Sequence, residues 1–165
     1  MGFESVNELE QFNFDDCVIA DFQIQPGGLH LEVDALIVRP RNSQNTNFTE
    51  SYADTAVVRL KDGKIESAVK EGYKYYDANG TLLEEEPDQT LAALEIDEFL
   101  RKCKGAYWFR MDKDSVDDGR YSYYMEIEVP GDDPHDTCRD DAYEVKVSFT
   151  QAVVSWERYL NRVEQ

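Results

Sequence analysis

The sequence predicts an α+β, mainly β fold: an antiparallel sheet of about seven to nine strands, with one internal amphipathic helix and a short C-terminal helix. Apolar residues alternate with polar residues along most of the chain, as they do in strands with one buried face. Clusters of Asp, Asn and Gly separate the alternating runs at distances typical of hairpins. A chain of 165 residues is of single-domain size, so we expect one domain over residues 1–165.

The first predicted hairpin lies before residue 38. Its first strand carries alternating apolar positions at Phe14, Val18, Ala20, Phe22 and Ile24, and Cys17 is out of phase with this row. After a turn at residues 26–28, the second strand repeats the pattern at Leu29, Leu31, Val33, Ala35 and Ile37. Residues 39–51 are polar and rich in asparagine, whose side chain competes for backbone hydrogen bonds, so we expect a long loop there.

A second hairpin is predicted around Asp62-Gly63, because Asp-Gly between two alternating runs favours a tight turn. Apolar positions on its two sides are Ala56, Val58 and Leu60, then Ile65, Val69, Tyr73 and Tyr75. Another turn at residues 77–80 leads the chain toward Leu82 and Leu83.

A helix is predicted over about 88–104, where the apolar spacing changes from two residues to between three and four. Asp88 is suited to cap it and Gly105 to end it. The apolar positions at helical spacing are Ala92, Ile96, Phe99, Leu100 and Cys103.

Three strands are predicted after the helix, with breaks at residues 117–119 and 130–141. Their inward rows are Tyr107, Phe109 and Met111; Tyr121, Tyr123, Met125, Ile127 and Val129; and Tyr143, Val145, Val147 and Phe149. A closing helix is predicted from the spacing of Trp156, Tyr159, Leu160 and Val163. The inner face of the sheet must be covered by the helix, by a second sheet or by curling of the sheet on itself, and the pattern leaves these alternatives open.

The charge is strongly acidic: 35 Asp and Glu oppose 17 Lys and Arg, for a formal net charge of −18. Such a surface repels nucleic acid and anionic membranes and attracts basic proteins. We therefore expect a basic protein partner, no nucleic acid and no membrane. Three widely spaced cysteines and the lack of a leader-like or long apolar run favour a cytoplasmic protein.

No catalytic motif is recognisable. The two histidines, His30 and His135, lack the spacing of a metal site, and the acidic run 112–119 places Val116 where a calcium loop needs an oxygen ligand. We predict no catalytic residue, no cofactor and no bound metal.

The acidic residues are concentrated in the later part of the chain, whereas residues 59–74 are mildly basic. The residues predicted to steer a basic partner are Asp112, Asp114, Asp117, Asp118, Asp132, Asp133 and Asp136. Trp108 and Tyr124 are out of phase with the inward rows, so we expect them to be exposed and to anchor the partner. The alternative is that a second layer, such as the closing helix, covers that face.

Four segments carry a resemblance to a known group of proteins. Phe14-Asp15-Asp16-Cys17-Val18-Ile19 and Leu29-His30-Leu31-Glu32-Val33 resemble the first hairpin of small, acidic, uncharacterised bacterial proteins of Firmicutes type, some of them like immunity proteins. Residues 51–79 and 156–162 are similar to segments of such proteins. The resemblance implies a β-rich fold and no enzymatic activity.

The leading hypothesis is a non-enzymatic protein-binding domain, an immunity-type inhibitor that occludes a basic partner and attracts it electrostatically. One alternative is a structural or accessory domain without a dedicated partner, acidic only for solubility. Another is a cation-dependent enzyme or sensor that uses the acidic loops.

Overall fold

A computed structural model describes residues 2–131 and 140–162, which form sixteen strands, one α-helix and a short 3-10 helix at Leu9–Gln11. The strands are β1 Phe3–Val6, β2 Phe12–Asn13, β3 Cys17–Gln25, β4 Gly28–Asp34, β5 Ile37–Val38, β6 Ser51–Ala53, β7 Ala56–Lys61, β8 Lys64–Lys70, β9 Tyr73–Tyr76, β10 Leu82–Glu86, β11 Gln89–Thr90, β12 Tyr107–Asp117, β13 Arg120–Val129, β14 Asp141–Phe149, β15 Gln151–Trp156 and β16 Tyr159–Arg162. The helix, α1, is Ala93–Lys102. The mainly β prediction is confirmed, although the strands are more numerous than expected because several contain only two to four residues.

One antiparallel sheet contains ten strands in the order β1-β15-β7-β4-β3-β12-β13-β14-β8-β11. The turns β7–β8 and β14–β15 each connect strands from opposite halves of this order, so the sheet folds back on itself. Arg120 links the two turns, because its Nη2 donates hydrogen bonds to the carbonyl oxygens of Asp62 at 2.7 Å and Ser148 at 3.2 Å. The two halves therefore enclose a common core, which is closure by curling.

The Asp62-Gly63 turn forms, but its two strands do not pair with each other. Instead, β7 lies between β15 and β4, while β8 lies between β14 and β11. The prediction of a paired hairpin here is wrong, because each strand forms its backbone hydrogen bonds with two other strands.

The core is one continuous cluster drawn from both halves of the sheet. The inward rows predicted for β13 and β14 are confirmed, apart from Tyr121, which is only half-buried. Val145 and Val147 of β14 lie in the same cluster as Leu31 and Val58 from the other half. Burial of these side chains supplies the main favourable term for folding.

A β-bulge overturns the inward row predicted for β3. The register with β4 shifts at Ala20, so the buried side chains are Cys17 and Ile19 before the bulge and Phe22 after it. Ala20, predicted to face inward, is exposed at the bulge, whereas Ile24 is in phase with the buried Phe22 and is exposed because it lies near the end of β3. One extra residue reverses the alternation, since side chains in a strand repeat every two residues.

A second β-bulge, at Phe109, reverses the alternation of inward and outward side chains in β12. Trp108 is fully buried and Met111 is buried, whereas Tyr107 is 43% exposed. The prediction that Trp108 is an exposed anchor is therefore wrong. Its indole packs on Phe14 with ring centroids 4.4 Å apart, and its Nε1 donates to the Arg110 carbonyl oxygen at 2.8 Å.

The predicted C-terminal helix is also wrong for the residues that the structure describes. The chain forms β15 and β16 there, and β16 pairs with β6 in a second sheet of order β16-β6-β5-β2. Tyr159 packs on Phe3 at 4.9 Å, and β1 pairs with β15 from Phe3 opposite Trp156. Strand pairing and aromatic packing satisfy both backbone and side chains, and they outweigh a short run of helical spacing.

The internal helix is shorter than predicted, because residues 89–90 belong to β11. Asp88 does not cap it; the Asp88 carboxylate accepts a hydrogen bond from the Gly72 N–H at 2.7 Å. The predicted apolar stripe is right at Phe99, Leu100 and Cys103, which are buried. In the described part of the chain, no helix has the length and apolar character needed to cross a bilayer.

Candidate binding face

The outward side of β12, β13, β14 and β8 carries an unusual density of carboxylates. Since Tyr123, Met125 and Ile127 of β13 point inward, Tyr124, Glu126 and Glu128 point outward. We call this surface the acidic face. Its carboxylates are Glu71, Asp112, Asp114, Glu126, Glu128, Asp140 and Glu144, and its cations are Arg110 and Lys146.

Like charges lie directly opposite each other at the centre of the acidic face. Glu126 of β13 is the register partner of Glu144 of β14. Glu71 joins them, because its N–H donates to the Ala142 carbonyl oxygen at 2.8 Å. Like charges at opposed positions destabilise a sheet, so this arrangement has a cost in the isolated protein.

The pKa of Glu71 is raised above its ordinary value by partial burial and by the charges of Glu126, Glu144 and Asp88. Arg110 opposes this shift but does not cancel it. The pKa of Glu128 is raised by partial burial, and then by a hydrogen bond with the Asp140 carboxyl and its charge. Glu71 and Glu128 therefore hold their protons more tightly than isolated glutamates do.

The two cations neutralise only part of this charge. The Arg110 Nε lies 3.3 Å from Glu126 Oε2, and its Nη1 lies 3.8 Å from Asp112 Oδ2. The Lys146 Nζ lies 3.7 Å from Asp114 Oδ2 and 5.7 Å from the centre of the Tyr124 ring. Two cations cannot pair one to one with seven carboxylates, so a negative potential remains around Tyr124.

Only part of the predicted site comes together. Asp112 and Asp114 lie beside Tyr124, which points outward but is half-buried under Lys146. Asp117 and Asp118 are exposed at the β12–β13 turn, where Asp118 has φ 49°. The segment that contains Asp132, Asp133 and Asp136 lies outside the described residues.

The β12–β13 turn and Val129 are at opposite ends of β13. Asp117 pairs with Arg120 at one end, and Val129 pairs with Asp141 at the other. At about 3.3 Å per residue the strand spans roughly 30 Å.

Sequence reasoning missed Glu71, Glu126, Glu128 and Glu144. The signal for Glu126 and Glu128 was present, because they continue the outward row of Tyr124 at two-residue spacing. Glu144 likewise lies on the outward row of β14, between the inward Tyr143 and Val145. Glu71 carries no such signal, since it lies beyond the end of β8 and is placed by its hydrogen bond to Ala142.

The other histidines, cysteines and carboxylates that the structure describes do not come together as a second site. Among residues 2–131 and 140–162, no three or more His, Cys, Asp or Glu side chains are grouped to hold a metal ion. Cys17 and Cys103 are buried, and burial raises the pKa of both thiols, that of Cys103 to about 12. His30 lies on the outward row of β4, with Nε2 3.5 Å from Glu32 Oε1. His135 and Cys138 lie outside the described residues.

Comparison with known proteins finds no matching family model, no similar curated protein and no similar solved structure. The function is therefore inferred from the acidic face itself.

The raised pKa values predict an unusual pH dependence of stability. A carboxyl with a raised folded-state pKa binds more protons in the folded state, so its penalty disappears as the pH falls through that pKa. We expect Glu71→Gln to have a higher melting temperature than the wild type at pH 7. This difference should shrink as the pH is lowered toward 4.5, the ordinary value for this group.

Thermal melts between pH 7 and 4.5 check this, with the exposed Glu4→Gln on β1 as the control variant. Glu8 acts in the opposite sense. Partial burial would raise its pKa, but hydrogen bonds from Ser43 and Ser5 outweigh this and lower it, so its contribution is lost on acidification. Comparing each variant with the wild type at the same pH removes that contribution. A Glu71→Gln difference that is absent at pH 7, or that grows on acidification, would contradict the prediction.

Proposed function

We propose that this protein is a non-enzymatic binding domain that docks a basic protein on its acidic face and inhibits that partner by occlusion, as immunity-type proteins do. The observation that carries the proposal is the opposed pair Glu126 and Glu144 with Glu71 beside it. The isolated protein bears the repulsion among these groups, and a Lys or Arg from a partner would relieve it.

The acidic face supplies both an attractive field and a contact centre. Its excess of carboxylates increases the rate of encounter with a basic surface, an effect that salt screens. A partner cation placed among the carboxylates would form charge-assisted hydrogen bonds, which are stronger than neutral ones. Tyr124 at the centre adds an aromatic ring that a partner can cover.

Capture from the source lysate tests this proposal. Immobilised wild-type protein is expected to retain a basic protein at low salt and to release it as salt rises. The double variant Glu126→Gln/Glu144→Gln should then bind the purified partner with an association rate lower by about tenfold, measured by surface plasmon resonance.

The matched control is Glu4→Gln/Glu157→Gln, which removes the same charge from exposed positions away from the acidic face. It should leave the rate within about twofold of the wild type, because distant exposed charges are largely screened. An equal loss of association rate in both double variants would show that only the net charge matters and not the acidic face. Failure of the wild type to retain any basic protein would contradict the proposal.

A further inference from the structure

A hairpin stands apart from the main sheet next to the acidic face. We call it the hairpin arm; it comprises β9, β10 and the turn between them, residues 73–86. Its strands form a two-stranded sheet of their own, and each has one edge without a strand partner in the described part of the chain. Every residue in both strands is exposed.

The hairpin arm is rich in exposed large apolar side chains. These are Tyr73 at 40% exposure, Tyr75 at 47%, Tyr76 at 57%, Leu82 at 45% and Leu83 at 67%. Single exposed apolar residues are ordinary, but such a concentration within eleven residues is typical of an interaction surface.

The hairpin arm is nevertheless held in a defined shape. At its tip the Asp77 carboxylate accepts hydrogen bonds from the N–H groups of Asn79 at 2.8 Å and Thr81 at 2.9 Å. At its base the Gly72 N–H donates to Asp88 at 2.7 Å. A two-stranded hairpin is marginal in water by itself, so fixing both ends preorganises it for contact with a partner.

One side of the hairpin arm combines aromatic rings with carboxylates. Tyr73 and Tyr75 lie 4.9 Å apart between ring centroids, and their cross-strand partners are Glu86 and Glu84. The Tyr73 hydroxyl donates to Glu84 at 3.1 Å. A ring face beside a carboxylate suits a guanidinium or ammonium group, which the ring quadrupole and the negative charge both attract.

The negative charge of the hairpin arm and its base favours a basic binding partner over a second copy of the protein. Lys74 is the single cation among the acids Asp77, Glu84, Glu85, Glu86 and Asp88. Two copies of such an arm would repel each other, whereas a basic segment would be attracted. Only Gly72 separates the arm from Glu71 of the acidic face, so one partner can reach both surfaces.

We propose that the hairpin arm binds an extended, arginine- or lysine-rich segment of the partner by strand addition. The segment's backbone would pair with a free edge of the arm, and its cationic side chains would lie over Tyr73 and Tyr75 beside Glu84 and Glu86. This inference rests on the proposed function, since it supplies the aromatic anchor that the burial of Trp108 removes.

A labelled peptide of alternating Arg and Thr tests the arm directly, with fluorescence anisotropy as the measurement. The variant Tyr75→Ser/Leu83→Ser is expected to weaken binding of the peptide by about tenfold. The matched control Phe48→Ser/Leu94→Ser also removes one exposed aromatic and one exposed leucine, but outside the arm, where these side chains are 89% and 83% exposed. It should change the affinity by less than about twofold.

The outcomes separate the arm from the acidic face. Equal affinity of wild type and Tyr75→Ser/Leu83→Ser for the peptide would overturn the arm inference, and the proposed function would stand if Glu126→Gln/Glu144→Gln still weakened capture of the basic protein. Analytical ultracentrifugation tests whether a second copy of the protein occupies the arm instead. A wild type that is dimeric and an arm variant that is monomeric would overturn the arm inference. Unchanged melting temperatures would show that the exposed substitutions leave the fold intact.

Discussion

Replacing Trp108 with alanine is expected to lower the free energy of unfolding by about 3–5 kcal/mol. Its side chain is fully buried, packs on Phe14 and donates a hydrogen bond to the Arg110 carbonyl oxygen. It also lies where β12 meets β3, a junction of only two register pairs, Tyr107 with Val18 and Trp108 with Cys17. The cavity would therefore open at the short junction that joins the two halves of the ten-stranded sheet.

Urea unfolding of wild type and variant measures this effect. A domain of this size is stabilised by about 5–15 kcal/mol, so the loss would be a large part of the total. Tyr107→Ala is the control, because that side chain is the exposed neighbour on the same strand. A Trp108→Ala loss no larger than the loss in the control would show that the indole does not hold the junction.

Gly72→Ala is expected to displace the hairpin arm and to cost about 1–3 kcal/mol of stability. A Cβ at Gly72 would lie 2.0 Å from the Glu86 carbonyl oxygen, 2.5 Å from the Pro87 carbonyl carbon and 2.8 Å from the Asp88 nitrogen. All three are backbone atoms, so no side chain can rotate away. The base of the arm must open, and the hydrogen bond from Gly72 to Asp88 must break.

Amide hydrogen exchange over residues 73–86 measures the displacement, and urea unfolding measures its cost. Gly27→Ala is the matched control, because nothing lies within 4 Å of a Cβ built there. Faster exchange confined to the arm is the expected result. Unchanged exchange in Gly72→Ala would mean that the base tolerates the methyl group and does not fix the arm.

The sequence predicts the fold well where pairing is regular. The rows of β13 and β14 alternate without interruption, and their register is continuous from Tyr121 opposite Phe149 to Val129 opposite Asp141. The prediction of inward and outward positions is wrong after the bulges at Ala20 and Phe109. A bulge depends on how two strands pair, so the residue pattern of one strand does not reveal it.

The candidate site is predictable only where one strand's pattern is enough to place a residue. Asp112 and Tyr124 were identified because charge and strand phase are visible locally, and they are register partners. Trp108 was misplaced by the bulge next to it. Glu71 joins the acidic face only through the fold, since it is brought there by a hydrogen bond to residue 142. Tyr73 and Tyr75 of the hairpin arm alternate as in a strand with one buried face. That alternation does not show that both faces of β9 are exposed.

The pairing of β1 with β15 has a consequence for biosynthesis. Residues 3–6 pair with residues 153–156, so the ribosome must synthesise every residue between β1 and β15 before these two strands can pair. Until then the unpaired backbone N–H and C=O groups of β1 are available to chaperones and to other nascent chains. Closing so long a loop is entropically costly, and we expect assembly to be slow, with the outermost strand added after translation has passed Trp156.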